Sequence, residues 1–172
     1  HHQPYARPIR MINAHKIFDP TGLRALIAKL IGISPSLVIQ SNTQIDTTNI
    51  AFYVTVHLAT STPQGMSIKF DGEVEYAEVK SNALYSIQLI GNNAKLWAER
   101  LHPSLRLSSS VNELKKLGIG ILQISALRDT SIALDAGFEE RAQFDILVSQ
   151  TTIVKEQLNQ INSVDFDLQI EQ

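Results

Sequence analysis

Four stretches of this chain alternate apolar and polar residues with a period of two, and that pattern limits the fold more tightly than any other feature. In "NIAFYVTVHLAT", Ile50, Phe52, Val54, Val56 and Leu58 fall on one side, with Tyr53, Thr55 and His57 on the other. "ALYSIQLIG" sets Tyr85, Ile87 and Leu89 against Ser86 and Gln88, and "AQFDILVSQTTIV" groups Ala142, Phe144 and Ile146. "SVDFDLQIEQ" sets Val164, Phe166, Leu168 and Ile170 against Asp165, Asp167 and Gln169. Successive side chains of a strand point to opposite faces, so each stretch reads as a strand with one buried and one solvated face.

Helical signals lie between them. Pro20 suits a first helical position after an Asp19 cap, and Leu23, Leu26, Ile27, Leu30 and Ile31 form one stripe that stops at Gly32. A second helix carries Leu96, Trp97, Arg100 and Leu101, capped by Asn92 or Asn93 and expected to end near His102-Pro103. A third opens on a capping box from Ser110 to Glu113, continues through Leu114 and Leu117, and stops at Gly118. "PSLVIQSN" predicts a short strand, and "IGILQIS" predicts a short buried one. Helices and strands come in runs rather than alternating. The expectation is therefore α+β: a mostly antiparallel or mixed sheet with helices packed on one face. With 172 residues, 44% of them hydrophobic, the chain suffices for one cored domain. We read residues 19–172 as that domain and residues 1–18 as an extended N-terminal arm. His1 and His2 have the form of a tag remnant and carry no functional reading.

"STPQGMSIKFDGEVEYAEVKSN" is a long polar excursion. Asp71-Gly72 marks it as a hairpin, since Asp-Gly favours tight hairpin turns. It is longer than an ordinary loop, which makes it either functional or mobile.

Several function classes are disfavoured. The net charge is −2 and the basic residues are not clustered, which argues against sequence-specific or strong non-specific nucleic-acid binding. Without cysteine there is no disulfide, thiolate metal site or cysteine catalysis, which suits a protein made in a reducing cytoplasm. No apolar run reaches the roughly 18 residues of a membrane span, and no signal peptide is expected. His15, His57 and His102 stand in no metal-ligand spacing, and "GIG" at 118–120 lacks a phosphate-cradling pattern. Glu73 and Glu75, two apart on a strand, share a face and could bind a cation or act as an acid–base pair, and with His57 they are the best candidates for a ligand-binding or enzymatic site. The plainer reading is a charged edge strand that discourages aggregation. No enzyme and no cofactor are expected.

The stretch "RDTSIALDAGFEERAQFDILV" crowds charge against the start of a core strand. Arg128 and Arg141 can pair with Asp129, Asp135, Glu139 or Glu140. Exposed pairs within one domain contribute only about 0–1 kcal/mol. Between subunits such charges set register and reject wrong partners. Arg128, Asp129, Asp135, Phe138, Glu139 and Arg141 are therefore candidate subunit-interface residues.

"LKKLGIGILQISALRDTSIALDAGFEERAQFDILV" resembles the C-terminal half of phage tail-terminator, or neck, proteins. The likeness rests on Gly118-Ile119 after a Leu-rich helix, Arg128-Asp129, Leu134-Asp135, and Phe138-Glu139 with Arg141-Ala142. "ALYSIQLIGNNAKLWAERL" resembles the same family's strand-then-helix segment, so the likeness covers roughly residues 50–155. It implies a structural virion protein, made in the bacterial host cytoplasm and built into the neck of the tail. Such proteins form a ring, commonly hexameric, that caps the tail tube and joins it to the head-completion or connector protein. In a contractile tail the sheath is a further neighbour. In this picture Gly65, Lys69, Asp71, Glu73 and Glu75 of the excursion are candidates for touching the tube or an adjacent subunit. Another head–tail connector or a tube-like subunit is the nearest alternative. A small ligand-binding or enzymatic domain is a more distant one.

Overall fold

A computed structural model describes residues 12–16, 20–41, 43 and 45–157. The expectations for an Asp19 cap, for the rest of the arm over 1–18 and for the strand over 163–172 lie outside these residues. In chain order the elements are β1 (Ile12–Lys16), α1 (Pro20–Ile31), a 3-10 turn (Pro35–Leu37), β2 (Val38–Gln40), β3 (Phe52–Asp71), β4 (Val74–Gly91), α2 (Ala94–Ser104) and α3 (Ser108–Lys116). After them come β5 (Ile119–Ile124), β6 (Arg128–Asp129), β7 (Ile132–Leu134), β8 (Gly137–Glu139) and β9 (Arg141–Gln157). The fold is α+β with a mixed, mostly antiparallel sheet. Its residues cluster into two compact units. The body holds described residues from 20–62 and 82–150. The hairpin unit holds 12–16, 63–81 and 151–157.

In the body the strand order is β9-β4-β3-β2, with β5 and β6 on the outer edge of β9. β2 runs parallel to β3, Val38 opposite Val54. β5 and β6 run antiparallel to β9, Ile119 opposite Gln150 and Arg128 opposite Gln143. The alternation read from the sequence sorts the two faces. Ala83, Tyr85, Ile87 and Leu89 of β4 are buried with Ala142, Phe144, Ile146 and Val148 of β9, and the residues between them are partly exposed. Over this face pack Leu23 and Ile27 of α1, Leu101 of α2 and Leu114 of α3, all with exposures of 1% or less. Each such side chain contributes about 1.5–3 kcal/mol by leaving water. Phe144 lies at the centre, its ring edge-on to His102 at 5.1 Å. The His102 Nε2–H donates to the Ser125 carbonyl at 2.7 Å, which fixes the tautomer.

Local readings were revised where tertiary contacts compete. α2 does not stop at His102-Pro103 but carries Pro103 inside its last turn. The proline's missing N–H matters little there, because Leu105 N–H still bonds the Leu101 carbonyl at 3.3 Å. α2 buries Ala94, Ala98 and Leu101, while Leu96 is 44% exposed. The Ser110–Glu113 capping box does not form: α3 starts two residues earlier, Ser110 is buried within it, and Glu113 pairs with Lys116. The residues "PSL" form the 3-10 turn rather than part of a strand, since Pro35 favours a turn start. β5 is not buried throughout, because Leu122 is 51% exposed. Leu58 is 46% exposed, whereas Val54 and Val56 of the same predicted face are buried.

In the hairpin unit the order is β1-β9-β4-β3. β1 runs antiparallel to β9, Ile12 opposite Glu156. β3 and β4 are joined through Gly72 and Glu73, and the φ of +61° at Gly72 supplies the turn anticipated from Asp71-Gly72. The excursion is thus a continuation of two strands rather than a loop. Among the described residues no helix is long and apolar enough to cross a membrane.

Two outcomes test this packing. Phe144→Ala should lower unfolding free energy by about 3–5 kcal/mol in urea titrations, a cavity at the core's centre. Burial pushes the Tyr85 phenol up to about 12 from the usual 10.0. The neutral phenol is the form the fold favours, so its contribution is fully present below pH 10 and is lost as pH rises through about 12. Absorbance of phenolate should show a late-titrating tyrosine that Tyr85→Phe removes.

Candidate functional site

The crowded charges of residues 128–141 belong to a small projection of the body. β6 pairs with the start of β9, and between them the chain makes a separate two-stranded flap of β7 and β8. Ile132 faces Glu139, Ala133 faces Phe138, and Leu134 faces Gly137. Paired residues share a face, so Phe138 and Ala133 lie on one side of the flap, and Ile132 and Leu134 on the other. Both sides are open: Phe138 is 67% exposed and Leu134 50%.

Most of the charges fasten the stem of this flap. The Arg128 guanidinium reaches Asp145 of β9 at 3.2 Å, and Arg141 pairs with Glu139. Asp129 accepts from the Lys95 ammonium at 2.6 Å and from the Ser131 N–H at 3.0 Å. The Lys95 contact, helped by Ser131, holds the Asp129 carboxyl well below the usual carboxylate range and raises Lys95 in turn. Ser131 closes the stem: its hydroxyl accepts from the Arg141 N–H at 3.0 Å. The partners Asp145 and Lys95 were not anticipated, because they come from the first part of β9 beyond the crowded stretch and from the first turn of α2.

That first turn is capped in an unexpected way. Asn93 sits at φ 62°, and its side chain makes no cap bond. Instead the Glu140 carboxylate, 45 residues further on, accepts from the Lys95 N–H at 2.7 Å. An anion at a helix N-terminus satisfies a free N–H and meets the positive end of the dipole. Lys95 is therefore tied through its backbone to Glu140 and through its side chain to Asp129, at the two ends of the flap. Gly91 lies beside this corner with φ +113°, its N–H bonded to the Glu140 carbonyl at 2.9 Å. A Cβ there would meet the Ala51 carbonyl oxygen at 2.1 Å, so no other residue fits. Between the flap and this corner lies an open depression of about 600 Å³ lined by Ile50, Asn92, Phe138 and Glu140 among others.

Asp135 stands at the flap's turn and forms no ion pair among the described residues. Of the six candidates in this stretch, Arg128, Asp129, Glu139 and Arg141 are held within the chain, and Asp135 and Phe138 are left outward.

The second set of candidates lies in the hairpin unit. Gly65 and Asp71 are exposed on β3, Glu73 is in the turn, and Glu75 is half-buried on β4. Lys69 pairs with Glu78 across the hairpin at 3.2 Å. Met66, Ile68 and Phe70 alternate along the same strand and are 65%, 57% and 65% exposed, an apolar row that the residue-by-residue reading passed over. His57 belongs to the body, where its Nδ1 lies 2.7 Å from the Ser41 hydroxyl, so its hydrogen-bond partner is a serine rather than Glu73 or Glu75.

The flap leaves Leu134 and Phe138 exposed in the body, and the hairpin unit leaves Met66, Ile68 and Phe70 exposed. The family model for the phage neck terminator protein matches residues 21–172, nearly the whole chain. The chain belongs to this family and is a structural protein of the phage tail, located at the neck of the virion. No curated protein matches it.

The cap should be measurable. Glu140→Ala should cost about 1 kcal/mol of stability and speed hydrogen exchange at the Lys95 amide, with the core amides of β9 little changed.

Proposed function

We propose that this chain is the subunit of a hexameric ring that terminates the tail tube and joins it to the head-completion or connector protein. In a contractile tail the sheath would be a further neighbour. The reading rests on family membership together with one observation: a single chain exposes two separate apolar projections, the row Met66, Ile68 and Phe70 and the flap carrying Leu134 and Phe138. Exposed apolar patches of this kind mark surfaces that partners cover. A ring subunit at a tail end has such partners on more than one side, since head-to-tail contacts close when the rotation divides a full turn.

The roles divide accordingly. The 128–141 stretch contacts the adjacent subunit, with Asp135 and Phe138 touching it and Arg128, Asp129, Glu139 and Arg141 holding the flap in position. The hairpin over 63–81, including Gly65, Lys69, Asp71, Glu73 and Glu75, contacts the tube protein. There β3 is an edge strand among the described residues, and an open edge with an apolar row is suited to pairing with another chain. The chain carries out no catalysis in this role and needs no cofactor.

Light scattering on a sizing column, with negative-stain images of the same peak, tests the reading. Ring-shaped particles of hexameric mass are expected. Changing Met66, Ile68 and Phe70 together to Ser should leave ring mass unchanged but stop the rings from capping purified tail tubes. Rings that cap tubes equally well after that change would remove the hairpin from the tube contact.

A further inference from the structure

We propose that the flap of one subunit inserts into a groove of the next copy lined by α1, residues 35–40, Thr43 and Ile45, with Phe138 as the anchor and Asp135 meeting Arg24. The proposal rests on the ring reading above and names the surface that receives the flap.

The flap is unusual in being apolar on both faces. A two-stranded hairpin of three residues a side has little stability of its own. This one leaves Ile132, Leu134 and Phe138 exposed at 38%, 50% and 67%. An element covered on one face would keep polar residues on the other. One with apolar side chains on both is suited to insertion between two walls. Its stem is fastened by Arg141–Glu139 and by the two bonds to Lys95, so little ordering entropy remains to be lost on docking.

The groove is the matching feature. It has a volume of about 270 Å³ and is lined by Arg24, Ala25, Pro35, Val38, Ile39 and Ile45 among others. A cavity of about 150 Å³ suffices for a benzene ring, so the Phe138 phenyl fits with room for an aliphatic neighbour. Ile45, at its rim, is 44% exposed. The Arg24 guanidinium bonds the Thr21 hydroxyl at 3.1 Å and pairs with no carboxylate among the described residues. Asp135 at the flap's turn likewise has no ion-pair partner there. An unpaired acid beside the apolar knob and an unpaired guanidinium beside the apolar groove are complementary in sign as well as shape.

Position in the sheet points to a second copy as the occupant. In the body the groove adjoins β2, at one edge of the order β9-β4-β3-β2, and the flap springs from β6 and β9 at the other. A knob on one edge and its socket on the opposite edge make a heterologous contact, which repeats from subunit to subunit and closes into a ring.

Charge exchange tests it on the full-length chain, with thermal melts confirming that each variant is folded. Arg24→Glu and Asp135→Lys should each weaken ring formation about 10- to 100-fold in concentration, and the two together in one chain should restore it. Phe138→Ser should weaken it at least as much without lowering the melting temperature. Wild-type rings that persist unchanged in the folded single variants, or a double variant that fails to recover, would overturn the docking while leaving the ring reading in place. A wild-type chain that stays monomeric both alone and with tail tubes would overturn the ring reading, and the docking with it.

Discussion

The fold depends on covering one face of β4 and β9. Ile87 and Leu89 on one strand and Phe144, Ile146 and Val148 on the other are fully buried, and they can be so only because α1, α2 and α3 lie over them. A sheet face of that composition left in water would lose roughly 1.5–3 kcal/mol per side chain. The helices in turn have no other surface for Leu23, Ile27, Leu101 and Leu114. Sheet and helices stabilise each other.

The corner where β4 leads into α2 converts that layer into a platform. Gly91 must be glycine because the Ala51 carbonyl passes where a Cβ would sit. The chain then turns through Asn93 into a helix whose Lys95 amide, in the first turn, is satisfied by Glu140. Glu140 and Asp129 stand on either side of the flap, and both end on Lys95. The crowding of charge at the start of β9 thus has a local cause. Most of those side chains hold the stem of a projection whose apolar tip faces outward. Individually such exposed pairs are weak, but arranged around one stem they restrict its geometry, and a restricted projection docks with less entropy lost. Membership of the phage neck terminator family places that projection on a structural protein of the phage tail.

Much of the architecture was legible beforehand because it follows from periodicity. The two-residue alternation in 83–89 and 142–148 reports which face is buried, whatever the rest of the chain does. The stripe Leu23, Leu26, Ile27, Leu30 and Ile31 reports a helix on the same grounds. Readings of single positions fared less well. Ser110 and Glu113 have the spacing of a capping box, yet the helix starts earlier and buries the serine. Pro103 resembles a stop, but in the last turn it removes a hydrogen bond of small consequence. In both cases a local signal of about 1 kcal/mol gave way to packing worth several times more.

By itself the sequence determined the class of fold, the faces of the main strands and the hairpin turn at Asp71-Gly72, since each of these is written in spacing between near neighbours, while the family was legible only as a resemblance of its motifs. Only the tertiary structure decided who holds whom. That Arg128 binds Asp145, that Lys95 binds Asp129, and that Glu140 caps a helix begun 46 residues earlier are contacts between distant parts of the chain. It also decided that Phe138 and the row Met66, Ile68 and Phe70 face outward, although their side chains are as apolar as those in the core. The physical reason is one: alternation marks a strand's two faces, but which face is covered depends on how many elements the fold has available to lay over it.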